Sequence, residues 1–332
     1  MSTRDRPRIS VVVPTYNRGR RLGETVSSIL ASRLDGVGRA ELIVVDDGSP
    51  IPASLADVVA PEAIPLRLLR QENAGPAAAR NAGFRAAQGE IVLFVDDDII
   101  VPAPLLQEHV SAHARLGDVV VCGRCVLERP QGGQSLYAYL EGAGQDPGRD
   151  LAEEFVPIHV VASGQISVRR ATFALDDGVY RQDLKTPGAE EFELSMRLRA
   201  RSIPAYLATR IAAVHGQAVD IDSISRQQYK HGMGYAEAAV KYPETLALPE
   251  MAAVIQACGP PTAGGSATGT AKRLFKDVAS SPVVRGGVLA LARGAGRFPL
   301  PARAQAALYH AAISSHFIAG VRSGLQTFGK SP

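Results

Sequence analysis

The sequence predicts an α/β protein in which a mostly parallel sheet is covered by helices on both faces. Short runs of apolar, β-branched residues alternate with helical patterns through the first half of the chain. These runs are apolar throughout, as in strands buried on both faces. Acidic and polar residues follow several of them directly, at the strand ends where ligands bind in such sheets.

The elements follow in order. Ile9–Val13 (ISVVV), Glu41–Asp46 (ELIVVD) and Leu66–Arg70 read as the first three strands, and Glu90–Val95 and Val119–Val126 as the fourth and fifth. Helices are expected near Arg20–Ser32, Pro76–Gln88 and Pro102–Leu116. Further on, EGAGQDPGRD reads as a flexible loop, with short strands near Val160–Val168 and a helix at Glu190–Ser202. CGPPTAGGSATGT, residues 258–270, has the composition of a linker. Beyond it Tyr309, Ile313, Phe317, Val321 and Leu325 recur every four residues, the spacing of an amphipathic helix. The expected division is 1–218 for the main domain, 219–257 for a helical extension, 258–270 for the linker and 271–332 for a helical tail.

At 332 residues the chain can hold one large domain and an appendage. Its three cysteines do not make a disulfide framework. Cys122 and Cys125 form a C-x-x-C, but it interrupts a strand-like run instead of opening a helix, and only Cys258 remains to complete a zinc site. His109 and His113 stand at i,i+4 without the glutamate of a zincin motif and read as a solvated helix face. No apolar run reaches the ~18–20 residues of a membrane span, and MSTRDRPRIS has no apolar signal region. Cytoplasmic residence is the expectation. Residues 1–250 carry 27 Lys+Arg against 32 Asp+Glu, whereas 251–332 carry 9 against 1. The basic tail could meet the inner face of a membrane, cap an acceptor site or form a homodimer interface. No nucleic-acid partner is expected.

IVLFVDDDIIVP poses the main chemical question. Three adjacent carboxylates at the end of a buried strand repel one another and resist desolvation. Neither G-x-G-x-x-G nor G-x-x-x-x-G-K-[ST] is present to cradle phosphates. The remaining way to hold a diphosphate is a divalent cation on carboxylates, since Mg²⁺ and Mn²⁺ take one or two of them and leave room for phosphate and water. A solvated turn is the plain alternative. Asp46-Asp47-Gly48-Ser49 repeats the device on what reads as the neighbouring strand.

Four blocks, VVVPTYNR, LIVVDDGS, ENAGPAAARNAG with AAQGEIVLFVDDD, and EEFELSMRL, resemble the successive signatures of glycosyltransferase family 2. The resemblance covers roughly residues 9–215. It implies the GT-A fold, inverting chemistry, Mg²⁺ or Mn²⁺, and a UDP, dTDP or GDP sugar as donor. By the match, Pro14 and Tyr16 would line the base pocket, Asp47 would bond the nucleobase edge, and Arg80 would lie near the nucleotide. Asp96-Asp97-Asp98 stands at the family's D-x-D, with Asp97 on ribose, Asp98 on the metal and His215 a second metal ligand. Glu191 falls at the catalytic base, where the family usually has aspartate, with Glu190 and Gly164 on the acceptor side. The acceptor could be a saccharide, a lipid-linked molecule or a small metabolite. A catalytically inactive nucleotide-sugar binder is the main alternative. A haloacid-dehalogenase-like phosphatase is a weaker one, because its D-x-D belongs on the first strand.

Overall fold

The structure, a computed structural model, describes residues 7–128, 134–141, 151–162, 164–176, 178–216, 219–259, 281–298 and 300–329. The chain forms two compact units. One comprises Met1–Glu128, Asp146–Asp183 and Arg197–Gln217, and the other Arg129–Gln145, Leu184–Met196 and Ala218–Pro332.

The first unit is built on one sheet. β1 (Ile9–Thr15), β2 (Ala40–Asp46) and β4 (Ile91–Val95) are buried along their whole length, which their unbroken apolar runs require. With β3 (Leu66–Arg70) they form a parallel set in the order β3-β2-β1-β4. β1 thus separates β2 from β4, so the two acidic turns do not end neighbouring strands as the sequence reading supposed. The sheet continues through β8 (Gln165–Arg169), β6 (Val120–Leu127), β9 (Ala205–His215) and β5 (Ile99–Ile100), with β7 (Phe155–Ile158) also on β9. β5, β7 and β8 run against the other strands.

α1 (Arg20–Leu30), α2 (Pro76–Ala86) and α3 (Leu105–Leu116) lie where the sequence placed them. α2 opens on Pro76, whose missing N–H costs nothing in a first turn. It sits close on β1, because a Cβ at Gly83 would fall 2.2 Å from Val12 Cγ1. On α3 one expectation fails. His109 and His113 are fully buried, not solvated. Ser167 Oγ of β8 lies 2.8 Å from His109 Nδ1 and 2.8 Å from His113 Nε2. Burial drives both imidazoles toward the neutral form, with pKa values of about 3 for His109 and about 4 for His113.

The second unit is helical: α4 (Gln134–Leu140), the first turns of α5 (Ala189–Ala200), α6 (Ile221–Lys241), α7 (Pro249–Cys258), α8 (Pro282–Gly294) and α9 (Ala302–Phe328). The segment before α5 joins this unit because buried Glu237 of α6 accepts from the Thr186 N–H at 2.8 Å and from Lys241 Nζ at 2.8 Å. Phe192 then packs edge-on against Tyr235 at 3.9 Å between ring centroids. α9 meets α6 through small residues. A Cβ at Gly320 would fall 2.0 Å from the Tyr229 carbonyl oxygen, and one at Gly232 would fall 2.1 Å from that of Phe317. The buried stripe of α9 therefore differs from the large i,i+4 series read from the sequence. Tyr309 and Val321 are buried with Ala312, Ser315, Ala319, Gly320 and Gly324, while Ile313, Phe317 and Leu325 are half-buried.

Most of the linker, the glycine-rich loop beyond Glu141, and Lys272, Arg273 and Lys276 of the basic tail lie outside the described residues. Within the tail, Arg293 pairs bidentately with Asp222, its Nε 2.9 Å from Oδ2 and its Nη2 2.5 Å from Oδ1. Arg285 lies 5.8 Å from the Tyr229 ring centroid. Part of the tail's positive charge is thus engaged inside its own unit.

Candidate active site

The first acidic turn ends β2. Asp46 is buried and accepts from the Ser49 N–H at 2.9 Å, the Ala53 N–H at 3.1 Å and Arg70 Nη1 at 2.7 Å. Burial works against its charge, but the hydrogen bonds from Ser49 and Ala53 and the Arg70 guanidinium hold the carboxyl below its ordinary value. Asp47 is buried as well. Its Oδ1 accepts from Gln71 Nε2 at 2.7 Å and the Ala74 N–H at 3.0 Å, and its Oδ2 from the Gly75 N–H at 2.8 Å. Gly48 has φ +76°, and a Cβ there would fall 2.6 Å from Asn73 N, so both conformation and space require glycine.

The second acidic turn ends β4 and is held differently. Asp96 pairs with buried Arg80 at 2.8 Å, and Arg80 in turn lies 5.3 Å from the Tyr180 ring centroid. The Asp96 N–H donates to the Gly164 carbonyl at 3.2 Å, which places Gly164 beside the turn. A Cβ at Gly164 would meet Cys125 Sγ at 2.6 Å, so packing also demands its small size. Asp97 accepts from Thr15 Oγ1 at 2.7 Å and lies 3.2 Å from Arg18 Nε. Burial pushes its carboxyl up to about 6; Thr15 and Arg18 oppose that shift, and Asp98 and Asp96 add to it. Asp98 lies 3.4 Å from Arg18 Nη2 and 3.6 Å from His215 Nε2.

His215 reaches Asp98 through strand pairing. β5, just after the aspartates, pairs Ile99 with His215, and the Asp98 carbonyl accepts from the Gly216 N–H at 2.8 Å. The end of β9 is offset by an irregularity: Gly123 pairs with Ala208, but Arg124 pairs with Ala212. Buried Gln165 fills that irregularity and donates from Nε2 to the Arg124 carbonyl at 2.5 Å. Cys125 lies in the same strand, and burial pushes its thiol up to about 12, with the Asp96 charge adding. A thiol so raised is a poor redox group.

Among the described residues no group of three His, Cys, Asp or Glu side chains is placed to hold a metal ion. Asp98 and His215 supply an oxygen and a nitrogen donor at one point. That donor set fits Mg²⁺ or Mn²⁺ taking its other ligands from a diphosphate and water. It does not fit an ion caged by protein alone.

Pro14 is buried in β1 opposite Val45, whereas Tyr16 beyond it is 49% exposed. A cavity of about 440 Å³ opens at this end of the sheet, lined in part by Thr15, Asn17, Arg18, Ser49 and Asp57. A larger hollow of about 660 Å³ is lined in part by Arg8, Arg39, Glu90 and Arg170, and none of the acidic-turn aspartates lines either space.

Glu190 and Glu191 belong to the second unit, in the first turn of α5. Glu190 is buried and Glu191 half-buried. In the same unit, burial holds the His231 imidazole of α6 below its ordinary value, against the opposing pull of the Glu191 charge. The sequence reading missed His231, Arg18 and Thr15. Thr15 and Arg18 stand inside the VVVPTYNR block, so proximity to that block was the available signal.

The arrangement is the GT-A fold. The mannosyltransferase PcManGT from Pyrobaculum calidifontis, solved with GDP-Man and Mn²⁺, matches with a TM-score of 0.57 at 22% identity, covering 98% of this chain and 88% of that one. Residues 10–173 match the family described as Glycosyl transferase family 2. That stretch, just under half of the chain, carries a glycosyltransferase family 2 domain. Glycosyltransferase GlyG of Streptococcus pneumoniae serotype 4 is 35% identical over 40% of this chain and 44% of its own length. Validoxylamine A glucosyltransferase of Streptomyces hygroscopicus subsp. jinggangensis is 31% identical over 57% of this chain and 40% of its own. The chain spans less than half the length of these curated relatives.

Proposed function

We propose that this protein is an inverting glycosyltransferase that moves a sugar from a nucleoside-diphosphate donor to an acceptor nucleophile. The observation that carries the reading is the turn after β4, where buried Asp97 and Asp98 meet Arg18 and His215. A structural neighbour that holds GDP-Man with Mn²⁺ supports a nucleotide sugar and a divalent cation here. In this reading Pro14, Tyr16 and Asp47 take the base, and Arg80, Asp96 and Asp97 serve the nucleotide. Asp98 and His215 hold Mg²⁺ or Mn²⁺, which supplies charge neutralisation to the departing diphosphate.

Glu191 accepts the proton of the acceptor nucleophile as that atom bonds to the anomeric carbon. The bond from that carbon to the diphosphate oxygen breaks, the electron pair leaves with the nucleoside diphosphate, and configuration inverts. Gly164 and Glu190 serve the acceptor side. The acceptor is a saccharide, a lipid-linked molecule or a small metabolite, and the site of action is the cytoplasm or the inner membrane face. Residues 271–332 give peripheral membrane contact or a homodimer interface. Among the described residues no helix is long and apolar enough to cross a membrane.

The test is release of nucleoside diphosphate from a panel of UDP, dTDP and GDP sugars with Mn²⁺ and candidate acceptors. Turnover of one donor, lost in Glu191→Gln while donor binding persists, is the expected result. Donor binding without hydrolysis or transfer by the wild type would instead favour an inactive nucleotide-sugar binder.

A further inference from the structure

We propose that Arg18 is a resident counter-cation of the β4 turn, which leaves the carboxylates when metal arrives and then binds the donor's diphosphate. The inference rests on the donor-binding reading above. Arg18 bridges two carboxylates, with Nε 3.2 Å from Asp97 and Nη2 3.4 Å from Asp98. Its side chain is 41% exposed, while those of both partners are 8% exposed. Arg80 makes the contrast: it is buried and close on Asp96 at 2.8 Å. One arginine is built into the turn, and the other reaches it from the solvent side.

The backbone around Arg18 is also special. Asn17 has φ 55° and Gly19 has φ 50°, so two left-handed residues flank it. A hydrogen bond from the Asn17 N–H to Ser49 Oγ at 2.8 Å holds the first of them. Left-handed backbone at a non-glycine residue persists where surrounding contacts enforce it. Arg18 also lines the 440 Å³ cavity, which gives its side chain room to turn away from the aspartates.

A guanidinium and a divalent cation cannot both occupy the face of Asp98, so Arg18 opposes binding of metal alone. A diphosphate removes the conflict, because it ligates the metal and offers oxygens to the arginine's planar fork. Metal and nucleotide then bind with positive coupling, reciprocal between the two ligands.

Isothermal titration calorimetry of the full chain tests this, with Mn²⁺ alone and with UDP, dTDP and GDP at saturating Mn²⁺. Arg18→Gln should bind Mn²⁺ alone about tenfold tighter, the scale on which an adjacent arginine shifts a carboxylate's equilibrium. It should bind the Mn²⁺-nucleotide pair more weakly. Arg18→Lys, which keeps the charge without the fork, should keep the wild-type affinity for Mn²⁺ alone. Arg20→Gln, at a side chain 93% exposed, controls for general charge and should change neither affinity. If Arg18→Gln binds Mn²⁺ alone no tighter than wild type, the inference fails while the donor reading stands. If wild type binds none of the nucleotides with Mn²⁺, both fail.

Discussion

The two acidic turns of the sheet look alike in sequence but draw their stabilisation from different partners. After β2, Asp46 and Asp47 accept mainly from backbone N–H groups, those of Ser49, Ala53, Ala74 and Gly75, with Arg70 and Gln71 adding one side-chain bond each. Their charge is built into the loop, and Asp46 is held below its ordinary pKa. After β4, Asp97 and Asp98 look instead to side chains, Thr15, Arg18 and His215. Burial there pushes Asp97 up to about 6. The first turn is held in shape by its own loop before any ligand arrives. The second is a charged site whose balance a cation can improve.

Mutations at the two turns should separate these roles. Asp98→Ala should lower transfer by about 10²–10³-fold, the scale for losing one group that stabilises developing charge, with little change in the chemical denaturation midpoint. Comparable stability loss at both turns would erase the distinction. Asp46→Ala should do the reverse, costing about 3 kcal/mol in denaturant unfolding because buried N–H donors lose their acceptor. Gly48→Ala should cost about 2 kcal/mol by the same measurement, through left-handed strain and the Asn73 backbone. An unchanged midpoint would show that the loop is softer than described.

Acidification makes a smaller test. The His109 and His113 pKa values are depressed in the folded state, so the unfolded chain binds protons that the folded chain refuses. Their stabilisation is therefore present above about pH 6.5 and is lost as pH falls toward the folded values of about 4 and about 3. At pH 5.5 the loss is about 1 kcal/mol per histidine. His113→Gln should flatten the slope of stability against pH in this window, and an unchanged slope would assign it to other groups.

The sequence made the buried strands legible because β1, β2, β4 and β6 are short apolar runs that end in polar residues. β5, at two residues, is too short to leave a pattern, and it is the strand that sets His215 beside Asp98. That contact joins residues far apart in the chain, and only the family resemblance suggested it. The histidines of α3 were misread although the signal was present: they lie on the same stripe as buried Leu105, Leu106 and Val110. Their partner Ser167 belongs to a distant strand, so no local pattern could show how their polarity is satisfied. In α9, spacing located the helix but not its contact face, because the glycine approach of α6 favours small residues over large ones.

If the β4 turn takes up a cation together with a nucleotide, the two ligands stabilise the fold jointly. Thermal-shift measurements of UDP, dTDP and GDP, each with and without Mn²⁺, test it on wild type and Asp98→Ala. One nucleotide should raise the melting temperature strongly only with Mn²⁺, and Asp98→Ala should lose that dependence. A nucleotide shift indifferent to Mn²⁺, or one that keeps its Mn²⁺ dependence in Asp98→Ala, would contradict it.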